Sequence, residues 1–183
     1  MGTIDEEILL EELRNPMTSR KGFARLVSEY SERLYWQIRK MVLSHDDAND
    51  ILQDVFIKVW TNLENFRGES KLTTWLYRIA INESITFLNK KRTQNNISID
   101  DEDTFLLNTI ESDEYFDGDE AQKLLQKAIV TLPDKQRLVF QMKYFDEMKY
   151  EDMSEILGTS VGALKASYHH AVKKIEKILG ESN

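Results

Sequence analysis

Apolar residues in this chain recur at three- and four-residue steps over most of its length. That rhythm, with strand-like alternation scarce, restricts the fold to packed α-helices. Phe23, Leu26, Val27, Tyr30, Leu34, Ile38, Met41 and Val42 make one stripe, on a helix ending near Ser44. Ile51, Leu52, Val55, Phe56, Val59, Trp60 and Leu63 make a second, on a helix that Asp46 or Asp47 can cap. After a loop from Glu64 to Lys71 that contains Gly68, a third helix runs from about Thr73 through Trp75, Leu76, Ile79, Ala80 and Ile85 to the basic cluster Lys90, Lys91 and Arg92. Only 7 glycines and 2 prolines punctuate the pattern, so the expected fold class is all-α.

The rhythm fails between Thr93 and Glu120, where ten carboxylates stand with no opposing cation. Mutual repulsion should keep such a stretch extended, as a linker. Phe105, Leu106, Leu107 and Ile110 are the exception within it and could form one helical turn that docks on the rest of the chain. Periodicity resumes with Leu124, Leu125, Ala128, Ile129 and Leu132, and Pro133 then opens another helix, its missing N–H harmless in a first turn. Leu138, Val139, Met142 and Phe145 give that helix its stripe. Two more follow, Tyr150 to Leu157 and Ser160 to about Leu179, separated by Gly158 and Thr159. A short helix, a glycine break and a longer helix form the helix-turn-helix pattern. Ser160 suits the N-cap of the second, and Val161, Leu164, Tyr168, Val172, Ile175 and Leu179 suit its inner face.

A formal charge of −8 argues at first against a nucleic-acid partner, because Lys and Arg drive phosphate binding. Its distribution reverses that. Residues 21–92 carry 12 basic and 9 acidic side chains and residues 121–183 carry 10 and 8, whereas residues 1–20 carry 2 and 5 and residues 93–120 none and 10. Two mildly basic blocks therefore flank one wholly acidic segment. The absence of cysteine excludes a disulfide framework, a thiolate zinc site and a cysteine nucleophile, and suits a reducing cytoplasm. No basic leader or membrane-length apolar run is present, so a cytosolic protein without membrane insertion is expected. No Gly-rich phosphate loop or His-Glu-x-x-His motif occurs, and the only histidines are His45, His169 and His170. Adjacent His169 and His170 point to different helix faces, so no two-histidine metal site is expected there, and with no catalytic signature in the chain neither a cofactor nor enzymatic activity is expected.

Three surfaces remain as candidates. Asp47, Asp50, Gln53 and Asp54 fall at three- and four-residue steps in a polar, mostly acidic stripe. Like charges so spaced weaken an isolated helix and suggest a positively charged partner; the alternative is a solubilising face. The third helix and the loop before it interleave Phe66, Arg67, Lys71, Trp75, Tyr77, Arg78, Phe87, Lys90, Lys91 and Arg92. Aromatic plus basic groups are what unstacked bases require, though patterning alone favours placing most of Trp75, Tyr77 and Phe87 in the core. The outward face of the last helix carries Gly162, Ala163, Lys165, Ala166, Ser167, His169, His170, Lys173 and Lys174. Small residues there admit the helix to a major groove and the lysines can reach phosphates, unless the face is merely solvated.

The run Asp47 to Trp60, then Phe66-Arg-Gly with Thr74-Trp-Leu-Tyr-Arg-Ile-Ala-Ile-Asn82, resembles region 2 of the extracytoplasmic-function sigma factors. Leu132-Pro with Gln136-Arg-Leu-Val-Phe140, then Tyr150-Glu to Ile156-Leu-Gly and Ser160-Val-Gly-Ala-Leu-Lys165, resembles their region 4. The resemblance implies an N-terminal extension at 1–19, region 2 at 20–92, an acidic linker at 93–120 and region 4 at 121–183. It implies that Asp47, Asp50, Gln53, Asp54, Phe56 and Trp60 bind the clamp helices of core RNA polymerase. By the same likeness, Phe66, Arg67, Lys71, Trp75, Arg78, Asn82, Lys90, Lys91 and Arg92 serve the minus-10 element of promoter DNA. The minus-35 element falls to Ser160, Gly162, Ala163, Lys165, Ala166, Ser167, His169, His170 and Lys173, with the polymerase flap against the preceding helices. An anti-sigma factor is a further partner implied. Where the family usually has a Lys-Ser-Arg run and then His-Arg, this chain has Lys165-Ala166-Ser167 and His169-His170, losing two arginines and leaving open which minus-35 bases are read.

Two weakly basic blocks on an acidic tether should bind DNA poorly alone, and polymerase is expected to spread them and draw the tether into a basic channel. A conventional helix-turn-helix regulator with a helical N-terminal domain explains the second block but not the acidic stripe or the aromatic-basic helix. A helical protein-binding adaptor would require Lys165 and Lys173 to be dispensable for transcription.

Overall fold

The computed structural model describes residues 6–66, 68–94 and 120–181, which form eight α-helices and one 3-10 turn. The first four helices are α1 (Glu6–Arg14), α2 (Ser19–Val42), α3 (His45–Asn62) and α4 (Leu72–Gln94), with the 3-10 turn Leu63–Asn65 following α3. After the acidic stretch come α5 (Glu120–Val130), α6 (Asp134–Tyr144), α7 (Tyr150–Leu157) and α8 (Val161–Glu181). The anticipated turn at Phe105, Leu106, Leu107 and Ile110 lies outside the described residues. Among the described residues no helix is long and apolar enough to cross a membrane.

Most residues of the expected stripes pack inward, but Ile85, at 41 %, and Phe145, at 37 % and just past the end of α6, are exposed. Leu26, Leu34 and Ile38 of α2 meet Ile51, Val55 and Val59 of α3 and Leu72, Leu76 and Ala80 of α4 in one buried cluster. Leu43 ends α2 in the left-handed conformation at φ 63°, and Ser44, rather than Asp46 or Asp47, is the N-cap of α3. Its hydroxyl accepts from the Asp47 amide at 3.3 Å, while Asp46 and Asp47 occupy the first turn and favour its positive end.

Helix α1 occupies a segment that sequence periodicity leaves as an extension. Nine residues are too few for a stable isolated helix, so its order comes from docking. Leu9 and Leu13 are buried in the same cluster. Gly22 makes that docking possible, because a Cβ there would stand 3.0 Å from Glu12 Cβ and 3.1 Å from the Leu13 amide nitrogen.

Helices α5 to α8 keep a smaller cluster of their own, built from Ala128, Ile129, Leu132, Phe140, Ala171 and Ile175. Arg137 pins the turn between α5 and α6, donating to the carbonyl of Val130 at 2.8 Å and pairing with Asp134. The other apolar face of this group joins the first cluster through Val139, Met142, Met153, Ile156 and Leu164. The two helical groups are therefore docked on one another. Lys40 pairs with Asp146, and the side-chain amide of Gln141 donates to the Lys40 carbonyl at 2.8 Å.

Candidate nucleic-acid and partner interfaces

Helix α3 turns Ala48, Ile51, Val55 and Val59 inward and leaves Asp50, Gln53 and Asp54 exposed. Asp47, one turn earlier, is held by Lys91 of α4 at 2.6 Å, and that ammonium also lies 5.5 Å from the Phe87 ring centre. The acidic stripe thus divides: one carboxylate ties α3 to α4, and two face outward. Phe56 and Trp60 depart from the expected buried face. Phe56 is half-buried and Trp60 is 41 % exposed, both edge-on to Phe23 with ring centres 6.3 and 4.9 Å apart. With Arg20 and the exposed Ile57 they line a shallow apolar depression beside the carboxylates. Ile57 was the overlooked member, an apolar residue lying off the inward stripe. Such a face suits a helix that offers cations beside apolar side chains.

The second surface begins where α4 starts. Phe66 is buried against Trp75, their ring centres 4.9 Å apart, so Phe66 forms a wall while the half-buried Trp75 keeps part of its ring open. Tyr77 belongs to the core, as the alternative reading has it, and Phe87 is half-buried. Asn65, Phe66, Glu69, Ser70, Trp75, Arg78 and Glu155 enclose a cleft of about 560 Å³. Lys71 and Arg78 are exposed cations at this cleft or its margin, yet both already have partners on α7. Lys71 pairs with Asp152 at 3.3 Å, and an Arg78 guanidinium N–H donates to the Glu155 carbonyl at 2.6 Å. Farther along α4, Asn82 and Lys90 are exposed, Lys91 is committed to Asp47, and Arg92 pairs with Asp134 at 3.0 Å. Arg67 lies outside the described residues.

The third surface is the outward side of α8. The Ser160 hydroxyl caps the helix, accepting from the Ala163 amide at 3.3 Å. Gly158 makes the turn before it at φ 60°, a conformation that costs glycine little. Leu164, Ala171 and Ile175 face inward. Ala171 completes that face where the spacing suggested Val172, which is half-buried along with Val161 and Leu179. Gly162, Ala163, Lys165, Ala166, His169, His170, Lys173 and Lys174 are exposed, and Ser167 is half-buried. Lys165 reaches over the Tyr150 ring at 5.6 Å, and the His169 and His170 rings lie 6.0 Å apart, tilted at 56°. No group of three or more His, Asp or Glu side chains among the described residues could hold a metal ion.

Residues 26–94 match the family described as Sigma-70 region 2, and residues 122–175 match Sigma-70 region 4. The chain is 32 % identical over 166 residues to the ECF RNA polymerase sigma factor SigW of Bacillus subtilis, covering 86 % of this chain and 89 % of that protein. It is 30 % identical over 168 residues to the RNA polymerase sigma-H factor of Pseudomonas aeruginosa, covering 87 % of each. The fold resembles that of CnrH, solved in complex with the cytosolic domain of CnrY, with a TM-score of 0.70, 19 % identity and coverage of 97 % of this chain and 99 % of that one. It also resembles RpoE of Bartonella quintana, solved with the anti-sigma factor NepR, with a TM-score of 0.66, 21 % identity and coverage of 87 % and 98 %.

Proposed function

The chain belongs to the extracytoplasmic-function sigma factors of the sigma-70 family, and on that premise we propose that its three surfaces divide the work of promoter recognition. It directs bacterial core RNA polymerase to specific promoters and helps open the duplex. Asp50, Gln53 and Asp54, with Phe56 and Trp60, grip the clamp helices of the polymerase, and Asp47 holds α3 in place for that contact. Trp75, Arg78 and Asn82, with Lys71, Lys90 and the wall residue Phe66, take the unpaired minus-10 strand. Arg67, Lys91 and Arg92 complete the minus-10 set. The exposed side of α8, from Ser160 through Lys165 to Lys173, reads the minus-35 element. Residues 20–92 and 121–183 then act as region 2 and region 4, tethered by residues 93–120. An anti-sigma factor is a further partner, and the place of action is the cytoplasm.

One observation carries this reading: a single chain offers an exposed acidic and apolar face on α3 together with cation-bearing surfaces on α4 and α8. A conventional regulator would need only the last. Adding the protein to core polymerase on genomic fragments, with mapping of start sites, should give initiation at a restricted promoter class. Failure to associate with core polymerase, or initiation indifferent to promoter sequence, would refute it.

A further inference from the structure

Helix α1 lies outside the stretch that matches region 2, which begins at residue 26, yet it makes a contact at the start of the helix that carries the minus-10 surface. The first N–H groups of any α-helix lack partners within the helix. At the start of α4 the Leu72 N–H donates to the carboxylate of Glu6, the first residue of α1. A carboxylate there satisfies a donor and also complements the positive end of the helix. From Trp75 onward the ladder closes on itself, the Trp75 amide donating to the Lys71 carbonyl at 3.1 Å. Glu6 thus meets α4 one turn before Trp75 and two before Arg78, where Phe66 and Lys71 bracket the loop that borders the cleft.

Several contacts fix α1 for that task. Arg25 of α2 pairs with Glu12 at 2.6 Å, and the Thr18 hydroxyl donates to the Glu12 carbonyl at 2.9 Å. Gly22 allows the close approach of α1 to α2. The Tyr30 hydroxyl and the Thr73 hydroxyl, 3.4 Å apart, add a second tie from α2 to the first turn of α4. We propose that Glu6 is a positioning residue for minus-10 recognition: through its bond to the Leu72 amide, α1 sets the start of α4 and with it the Phe66–Trp75 wall. Glu6 itself touches no DNA. The inference rests on the minus-10 assignment above and adds to it a residue that the family resemblance does not supply.

The test uses holoenzyme reconstituted from the full chain and core polymerase, on fork-junction DNA carrying its mapped promoter with an unpaired minus-10 strand. Glu6→Ala should weaken capture of the fork and lower permanganate reactivity of melted thymines several-fold, the order that loss of a helix cap supplies. Affinity for core polymerase and binding of minus-35 duplex should stay unchanged. Glu6→Gln, which keeps an acceptor, should restore most of the loss. Gly22→Val, which pushes α1 off α2 and leaves the Glu6 side chain intact, should reproduce the defect. Unchanged fork capture in Glu6→Ala overturns the proposal, and so does an equal fall in all three activities, which would mark a merely structural role. A Trp75→Ala control separates the two levels. If it abolishes fork capture while Glu6→Ala does not, only this inference fails; if Trp75→Ala also has no effect, the minus-10 assignment fails with it.

Discussion

At Tyr77 the position of one ring decides a measurable property of the fold. Its hydroxyl is pushed up from the ordinary 10.0 to about 12, first by burial and second by the nearby Asp146 carboxylate. The folded chain holds that proton more tightly than the unfolded one. The resulting stabilisation is complete below pH 10.0 and is lost as pH rises towards about 12. A shift of this size corresponds to roughly 2–3 kcal/mol. Urea unfolding followed across that window should show a clearly smaller loss in Tyr77→Phe. The carboxylates of α3 call for a different measurement. Asp50 and Asp54 are exposed, so Asp50→Lys or Asp54→Lys should leave the unfolding free energy within about 0.5 kcal/mol. Affinity for core polymerase should nevertheless fall by at least about tenfold in titrations, because like charges brought together across an interface are costly. Asp47, tied to Lys91, is the residue among the three whose loss also loosens α3 from α4.

Elements add constraints that no single side chain carries. The helix-turn-helix depends on a glycine that accepts φ 60° and on a serine that caps the helix after it. A Cβ at Gly158 would meet nothing within 4 Å, so the cost of Gly158→Ala is backbone strain alone, about 1 kcal/mol. Ser160→Ala should cost about 0.5–2 kcal/mol through the lost cap. Calorimetry should find the two losses less than additive, because both act on one turn. If α8 serves the minus-35 role proposed above, minus-35 binding by holoenzyme should weaken in Ser160→Ala, as the exposed N-terminal turn of the helix frays. Helix α1 is the opposite case, an element whose stability is borrowed entirely from α2 and α4.

At the scale of the whole molecule, the docked arrangement sets the minus-10 role proposed for three cations against contacts they already make. Lys71 and Arg78 meet Asp152 and the Glu155 carbonyl of α7, and Arg92 meets Asp134 of α6. Promoter DNA would have to displace these contacts. Such partly exposed pairs contribute up to about 1 kcal/mol each and weaken with salt. The doubly substituted Asp134→Ala/Asp152→Ala chain should therefore bind a minus-10 single strand several-fold more tightly than the parent when both are free. The difference should vanish once core polymerase is bound. Anisotropy titrations of the free chain and of holoenzyme give both arms, and equal affinities for the two free chains would dismiss the competition.

Seven of the eight helices, the helix-turn-helix and the outward face of α8 were legible in the sequence. Each is written in short-range spacing: apolar residues three and four apart, Gly158 between two helices, Ser160 before the last. Helix α1 was hidden because its order comes from docking against α2 and α4, surfaces that its own residues do not specify. The division of the acidic stripe was hidden as well, since nothing local distinguishes Asp47 from Asp54; a lysine 44 residues away does. The same holds for the bonds that join Leu72 to Glu6 across 66 residues and Lys71 to Asp152 across 81. Periodicity records which face of a helix avoids water, a property each helix has by itself. Which charge meets which is settled only when the buried faces have packed, because that packing brings side chains far apart in the chain within the few ångströms over which a hydrogen bond or ion pair acts.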